Sequence, residues 1–345
     1  MPITDESSPD DPIVQSIRIW IENIDINNER SETEKIYAIY SVKSLYAQNE
    51  FKPFWNENHE IIEFIEEISQ AYLEGLEPGD YHYYRLSELI NLSQPTISQK
   101  AELDLLLTDS FLLYASHLLS GKVDPVTVDA EWHVVRREGN PVEIFSKTVK
   151  SNKFNESIDD IKPRNSQYNG LKTALKRYLD VEESGGWTMI VNGPVINTGM
   201  KDPRVAEVRK RLAITGDYSF PSSFLEDSIY DNSLAESVTR FQRRHGFKGD
   251  GKIDEPTIRM MNIPVEERIN QIILNLERWR WMPSEFSNYF LLVNIANYNL
   301  DIYRQNKIEQ SYKIIAGKPV RKTPVFSSRL SYLVFNPTWT VPLPF

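Results

Sequence analysis

The most evident chemistry in this sequence belongs to a group of cations between residues 243 and 248. The group consists of Arg243, Arg244, His245 and Lys248. A guanidinium binds a carboxylate through two parallel hydrogen bonds, and an ammonium binds it as a point charge. The group therefore predicts recognition of an acidic ligand. A plainer interpretation is also open, in which the three side chains of Arg and Lys are solvated and His245 packs at the end of a helix.

A second pair of cations, Arg321 and Lys322, lies in a loop near the C-terminal end of the chain. The loop is predicted over residues 317–328, where Thr323-Pro324 shapes the backbone. A proline fixes its own backbone angle and disfavours the helical conformation for the residue before it. Either the two cations contact the same acidic ligand, or they are ordinary solvated charges of a loop.

Familiar catalytic spacings do not occur in the sequence. The chain has no cysteine, and none of its five histidines has the H-E-x-x-H or H-x-H spacing of a metal site. No serine lies in a G-x-S-x-G or S-x-x-K motif, and no glycine-rich nucleotide motif is present. Carboxylate pairs for glycoside hydrolysis stay open, because 49 Asp and Glu residues offer many unspecific candidates. We therefore predict no catalytic residue, no metal site and no cofactor in this chain.

The cations at 243–248 must be positioned by a small helical unit. Apolar residues recur at helical spacing before and within it. These residues are Val205, Val208, Leu212, Leu234, Val238 and Phe241. Gly246 follows as a helix-ending residue, and Asp250-Gly251 reads as a turn. The pattern predicts three helices between residues 204 and 264.

Length and charge bound the remaining possibilities. With 345 residues the chain is long enough for two or three domains. A net charge of −10 argues against a nucleic-acid-binding protein. Residues 201–262 differ, because they contain 11 Lys or Arg and 10 Asp or Glu. No apolar run reaches the 18 residues of a membrane-spanning segment, and the acidic N-terminus does not resemble a signal peptide.

The first half of the chain reads as helices. Residues 1–12 are predicted to be disordered because they are rich in Pro, Ser and Asp. Helices are predicted over 13–26, from about residue 32, and over 101–119, where the apolar side chains cover most of the helix surface. Another helix of about 16 residues should follow Pro264. From the residues alone, the region 35–185 is a helical platform without a site.

The C-terminal part changes to the period of β-strands. Alternating apolar and polar residues predict strands at 289–295, 298–304 and 308–315, joined by short polar turns. A further strand is predicted at 331–342, where a proline ends it.

The region 204–264 resembles the peptidoglycan-binding domain of bacterial cell-wall enzymes. The resemblance rests on R-V-A-E-V-R-K-R-L at 204–212, F-Q-R-R-H-G at 241–246, D-G at 250–251 and T-I-R-M-M-N at 257–262. It implies that peptidoglycan stem peptides and glycan are the partners of this unit. On that basis Arg243, Arg244, His245 and Lys248 are the candidate binding residues.

Two further regions resemble large, scaffold-containing L,D-transpeptidases. In the platform the similar motifs are Y-x-x-x-x-x-x-P-x-W at 46–55, G-L-x-P-x-D-Y-H at 75–82 and D-L-x-L-T-D-S-F at 104–111. Nearer the C-terminus they are A-G-K-P-V-R-K-T-P-V-F at 316–326 and N-P-T-W-T-V-P at 336–342. With the peptidoglycan-binding motifs, the resemblance covers about 300 of the 345 residues. It implies that Arg321 and Lys322 border an active site.

The resemblance also implies a reaction whose reactive residues this chain does not contain. Complete members transfer a tetrapeptide stem to a histidine-activated cysteine and then to an amine, which gives a 3→3 cross-link. This sequence has no cysteine and no histidine after His245. We therefore expect that this polypeptide is truncated before the catalytic motif, either as a fragment or as a shortened gene product, and that it is inactive. The alternative function is a non-catalytic peptidoglycan-binding protein.

The predicted architecture is multidomain and mainly α, with a helical scaffold, a three-helix peptidoglycan-binding module and a partial β domain of L,D-transpeptidase type. The predicted divisions are 1–34, 35–198, 199–264, 265–287 and 288–345. They correspond to a flexible N-terminus with a first helix, the scaffold, the binding module, a connecting helix and the incomplete catalytic domain. The resemblance implies a periplasmic location and contacts with cell-wall synthesis proteins.

Overall fold

The computed structural model describes residues 11–24, 35–56, 58–134, 137–219, 225–318 and 320–336. Those residues contain 13 α-helices, two short 3₁₀-helices and five strands, with the longer strands near the C-terminus. The predicted fold class, mainly helical with a C-terminal β region, is confirmed. The prediction of disorder over 1–12 lies mostly outside the described residues, and Pro12 already begins a helix.

Nine helices form the platform, the name used below for α1 to α9 together. Their bounds are α1 Pro12–Asn23, α2 Ile39–Gln48, α3 Asn58–Ser69, α4 Tyr83–Ile90, α5 Ile97–Ser120, α6 Pro125–Val128, α7 Pro141–Ser151, α8 Phe154–Ile161 and α9 Ser166–Glu183. The 3₁₀-helices span Ala71–Glu74 and Pro78–Tyr81. Helix α5 is central, because 15 of its 24 residues are buried.

Asp104, on the buried side of α5, fastens the aromatic turn that follows α2. Its carboxylate accepts hydrogen bonds from the backbone N–H groups of Phe54 (3.1 Å) and Trp55 (2.9 Å). It also accepts one from the hydroxyl of Tyr46 at 2.5 Å. Burial raises the pKa of Asp104 to about 6, and these donors oppose that shift. Trp55 is buried in the platform core.

Asp109, five residues later, fastens the segment that leads into α2. It accepts hydrogen bonds from the backbone of Tyr37 at 3.0 Å and of Ala38 at 2.7 Å. The buried ring of His82 donates to the same carboxylate at 2.7 Å. Both aspartates thus satisfy backbone donors that no helix or sheet would satisfy.

The three-helix module follows the platform. It consists of α10 Arg204–Ile214, α11 Asn232–Arg244 and α12 Glu255–Met261. Its core residues are separate from those of the platform and include Ile190, Val208, Tyr230, Phe241 and Met261. The prediction of three helices between 204 and 264 is confirmed. Side chains of Asp231 and Asp254 cap α11 and α12, and such caps satisfy the free N–H groups of a first helical turn.

After the module the chain returns to the platform as α13, Val265–Arg280, which has the length that the sequence predicted. Helix α13 packs against α9 through Tyr168, Leu175, Ile269 and Leu276. Arg280, at its end, is 1% exposed and donates to the backbone carbonyl of Glu74 at 2.7 Å. The module is therefore inserted between two helices that pack on each other.

The carboxylate of Glu277 contacts three other residues at the end of α13. It pairs with Arg280 at 2.7 Å and accepts hydrogen bonds from the indole of Trp281 at 3.0 Å and the backbone of Val123 at 2.9 Å. The ring of Trp281 also meets that of Trp132 edge to face, with centroids 5.1 Å apart. Trp281 therefore packs between the end of α13 and the platform.

A three-stranded antiparallel sheet follows α13. Its strands are β2 Tyr289–Asn294, β3 Asn299–Arg304 and β4 Lys307–Lys313, with β3 in the centre. Stacked rings join the sheet to the segment before it, because Phe290 stacks on Phe286 at 4.7 Å and on Tyr303 at 4.5 Å. The three predicted strands are present within one or two residues.

Two predictions for the C-terminal region differ from the structure. Residues 331–336 form no strand, so the strand predicted over 331–342 is wrong in that part, and 337–342 lie outside the described residues. The predicted loop 317–328 contains a two-residue strand, β5 Val325–Phe326, which pairs in parallel with β1 Trp132–His133 of the platform. A pairing over nearly 200 residues of chain leaves no local pattern in the sequence.

Candidate functional site

Gln242 holds the module's turn to the end of α11. Its side chain is 2% exposed, and its amide nitrogen donates to the carbonyl of Lys252 at 2.8 Å and to the hydroxyl of Thr257 at 3.0 Å. Its amide oxygen accepts from the backbone N–H of Gly251 at 2.9 Å. A single side chain therefore satisfies polar groups of both the turn and α12.

The turn itself depends on the pair Asp250-Gly251. Gly251 has a φ of +71°, a left-handed conformation that side chains with a Cβ rarely adopt. The carboxylate of Asp250 accepts from the backbone N–H of Lys252 at 3.0 Å, and this hydrogen bond lowers the pKa of Asp250. The hydroxyl of Tyr230 donates to the carbonyl of Gly251 from inside the core.

His245 lies at the end of α11, directly beside the core. Its Nδ1 donates to the carbonyl of Phe241 at 2.8 Å, and the two rings are 4.2 Å apart. Burial lowers the pKa of His245 to about 4, so the ring is neutral at pH 7. These contacts agree with the packing interpretation of His245 better than with an ionic ligand contact.

The other three cations of this group differ in their surroundings. Arg244 forms a bidentate ion pair with Asp217. Its Nε is 2.9 Å from one carboxylate oxygen, and a terminal nitrogen is 2.6 Å from the other. Arg243 and Lys248 are exposed, and the Arg243 side chain lies against Gly249 at the start of the turn. Arg243 and Lys248 are thus exposed beside the turn, whereas Arg244 is paired with Asp217.

The second group of cations lies on the loop that contacts the platform. The Lys322 ammonium is 3.8 Å from the carboxylate of Asp129, whereas the Arg321 side chain is exposed. The backbone of Val325 donates to the carbonyl of Glu131 at 3.0 Å. Gly317 allows the loop to close, because a Cβ there would lie 2.1 Å from the carbonyl oxygen of Arg321.

The structure does not bring the two groups of predicted residues together. Between residues 243–248 and residues 321–322, no hydrogen bond or ion pair forms in the described part of the chain. The described residues also contain no cluster of His, Asp and Glu that could hold a metal ion. None of the helices in the described ranges has the length and apolar character needed to cross a membrane.

Sequence reasoning missed a set of residues where the module meets the platform. Arg211 of α10 is 3% exposed, and its guanidinium lies 3.5 Å from the centre of the Trp187 ring. Tyr178 of α9 meets the same Trp187 ring edge to face, with centroids 6.2 Å apart, and Arg268 of α13 donates to the carbonyl of Met260 at 3.0 Å. Arginines in a helix usually read as surface charges, so the R-K-R sequence at 209–211 gave no signal of burial.

Comparisons with known proteins match three successive parts of the chain. Residues 40–175 match a family described as "Scaffold domain", 201–261 one described as "Putative peptidoglycan binding domain", and 288–345 one described as "L,D-transpeptidase catalytic domain". A stretch of 86 residues is 35% identical to a Haemophilus influenzae protein named "Putative L,D-transpeptidase". This stretch is 24% of the present chain and spans 17% of that relative.

The three matched regions are the same ones whose sequence motifs showed a resemblance to known families. The chain therefore contains, in this order, a region similar to a scaffold domain, one similar to a peptidoglycan-binding domain and one similar to an L,D-transpeptidase catalytic domain.

Proposed function

We propose that this protein binds peptidoglycan in the periplasm through its three-helix module and acts there in cell-wall remodelling. The observation that carries the proposal is the folded module at 201–261, which matches a peptidoglycan-binding family and presents exposed cations beside a fixed turn. Peptidoglycan stem peptides carry carboxylates, and exposed Lys and Arg attract them. We further propose that proteins of cell-wall synthesis are its partners.

Within the module, Arg243 and Lys248 are the proposed contacts with the stem peptides. Both are exposed, and the Gln242 clamp fixes the backbone that carries them. Arg244 contributes the part of its charge that Asp217 leaves uncompensated, since its side chain is still 39% exposed. His245 supports the helix end beside them and makes no direct contact in this proposal.

The domain division supports the same function. We propose a scaffold over 35–198, a binding module over 199–264, a connecting helix within 265–287 and a catalytic-domain region from 288. Separate apolar clusters in the platform and the module support the first two parts. Arg321 and Lys322 are proposed to border the site at which the stem peptide is handled, because their loop lies in the catalytic-domain region.

Cosedimentation with insoluble peptidoglycan sacculi tests the binding proposal on the full chain. The double variant Arg243→Gln with Lys248→Gln should bind roughly tenfold more weakly, which corresponds to about 1.4 kcal/mol. A matched control removes the same charges elsewhere on the module, with Arg259→Gln and Lys201→Gln, both exposed positions. If the unaltered chain stays in the supernatant, the proposed function is wrong.

A second candidate function is peptidoglycan binding without transpeptidation. It is favoured by one observation, the lack of any cysteine among the 345 residues. Without a thiol, this polypeptide has no group for the thioester step that the family resemblance implies. Incubation with soluble tetrapeptide stems distinguishes the two functions, because a 3→3 cross-linked product from this polypeptide would contradict the second.

A further inference from the structure

Three arginines meet where the module packs against the platform, and together with Tyr178 they form what we call the arginine cluster. Arg211 comes from α10, Arg244 from α11 and Arg268 from α13. Arg211 and Arg244 both lie over the ring of Phe241, 6.0 Å and 5.0 Å from its centroid. Arg211 and Arg268 donate to the neighbouring carbonyls of Met261 and Met260, and Tyr178 of α9 meets Trp187 edge to face. Four helices from both sides of the junction therefore direct polar groups into one place.

The contacts of Arg211 and Arg268 are with neutral groups. Arg211 donates to the carbonyl of Met261 at 2.8 Å and to the hydroxyl of Thr215 at 3.3 Å. Arg268 donates to the carbonyl of Met260 at 3.0 Å and to the side-chain oxygen of Gln271 at 3.1 Å. In the described part of the chain, no carboxylate forms an ion pair with either of them.

Asp217 is the carboxylate that lies within the cluster, and its oxygens are already engaged. Both oxygens accept from Arg244, and one also accepts from the hydroxyl of Thr215 at 2.7 Å. Glu267, which is exposed, acts on Arg268 only as a distant charge. The cluster therefore keeps an excess of positive charge at a partly desolvated junction.

This excess of positive charge is unfavourable unless a bound anion compensates it. Burying a guanidinium without a charged partner removes its hydration and gives no Coulomb attraction in return. Burial and the neighbouring arginines hold the pKa of Arg211 at about 10, below its ordinary value. Perturbed ionisable groups that gather at a junction are candidates for a binding site.

We propose that the arginine cluster binds a carboxylate of the peptidoglycan stem peptide, so that the ligand contacts the module and the platform at once. This inference rests on the proposed function and adds a second, more buried contact to the exposed edge at Arg243 and Lys248. The guanidinium group of an arginine binds a carboxylate through two parallel hydrogen bonds. The indole of Trp187 stacks on Arg211 and so holds its guanidinium beside the other two arginines.

Titration calorimetry of the full chain tests this inference with two soluble probes. The first is a disaccharide-tetrapeptide with free carboxylates, and the second is the same compound with its carboxylates converted to amides. We expect the free acid to bind at least tenfold more tightly than the amide. The variant Arg268→Gln should remove most of that difference, whereas Arg278→Gln, an exposed position on the same helix, should retain it.

A structural role of Arg268 is separated from a binding role by two measurements. Arg268→Lys should restore part of the preference for the free acid, because the charge remains. Binding of the amide should be equal in all variants that keep the melting temperature of the parent. Equal loss of acid and amide binding in Arg268→Gln would overturn the inference in favour of a purely structural arginine.

The remaining outcomes separate this inference from the proposed function. If the parent chain sediments with sacculi but binds the acid and the amide equally, the inference fails, the carboxylate contacts of Arg243 and Lys248 fail with it, and binding of peptidoglycan itself stands. If inorganic phosphate competes as well as the free acid does, the cluster is an unspecific anion site and the inference is also wrong. If the parent binds neither sacculi nor peptide, the proposed function itself fails.

Discussion

Replacement of Gln242 by leucine should unfold the module's turn while leaving the platform intact. Leucine keeps most of the buried volume but offers no hydrogen bond to Gly251, Lys252 or Thr257. A buried donor left without a partner costs about 1–3 kcal/mol. The N–H of Gly251 is buried, whereas the carbonyl of exposed Lys252 can still reach water. We therefore expect a total loss of about 3 kcal/mol in the stability of the module.

Hydrogen exchange detected by mass spectrometry measures this loss locally in the multidomain chain. Peptides that cover 241–258 should exchange roughly 100-fold faster in Gln242→Leu, since 1.4 kcal/mol is a factor of ten. Peptides from α5 serve as the internal reference and should not change. Arg243→Ala is the matched control, because that side chain is exposed and should alter stability by about 0.5 kcal/mol or less.

Two outcomes of the exchange experiment would contradict this prediction. If exchange in 241–258 stays within threefold of the parent, the side chain of Gln242 does not hold the turn. If exchange rises equally in α5, the module and the platform unfold together, and their separate cores do not make them independent. Binding to sacculi should fall in parallel with the protection of the turn, since the exposed cations depend on that backbone.

The structure predicts the effects of three further substitutions. His117→Gln should flatten the dependence of stability on pH between pH 6.5 and 4. Burial lowers the pKa of His117 to about 4, so the native parent loses about 3 kcal/mol of stability as pH falls through this range, measured by urea unfolding. Glu277→Gln should lower the free energy of unfolding by about 3 kcal/mol, since Arg280 is buried and would lose its charged partner. Gly317→Ala should open its loop and raise hydrogen exchange at β1.

Each of these variants has its own control. His133→Gln removes an exposed ring and should leave the pH profile unchanged. Glu266→Gln removes an exposed carboxylate from the other end of α13 and should have little effect on unfolding. For Gly317→Ala, the control is Gly170→Ala in α9, where a Cβ meets no atom within 4 Å. Unchanged exchange at β1 in the Gly317 variant would show that the loop does not need that glycine to dock.

Sequence patterns predicted those elements whose burial follows a local period. Helix α13 has the predicted length because its apolar side chains recur every three or four residues from Ile269 onwards. The strands β2 to β4 follow from alternation and short polar turns in the same way. The end of α11 before Gly246 was also predicted, although its pattern does not show that Gln242 clamps the turn.

Long-range polar contacts could not be predicted in this way. The pairing of β5 with Trp132–His133 joins two-residue strands, which are too short for a period. The two buried aspartates of α5 sit in an apolar helix, where a sequence shows that a charge is present but not which distant backbone groups it binds. Arg211 is the clearest case, because its burial depends on Trp187 from another segment.

These unpredicted contacts give the platform a role beyond that of a spacer. It holds the module through the α9–α13 pair, whose rings and apolar side chains enclose the junction. It also holds the catalytic-domain region through the backbone of Glu131, and the end of α13 through Trp132 against Trp281. Glu277 lies on α13 between the two attachments and contacts the platform directly at Val123. A ligand at the arginine cluster would therefore contact a helix that is connected to the loop of Arg321 and Lys322 through the platform.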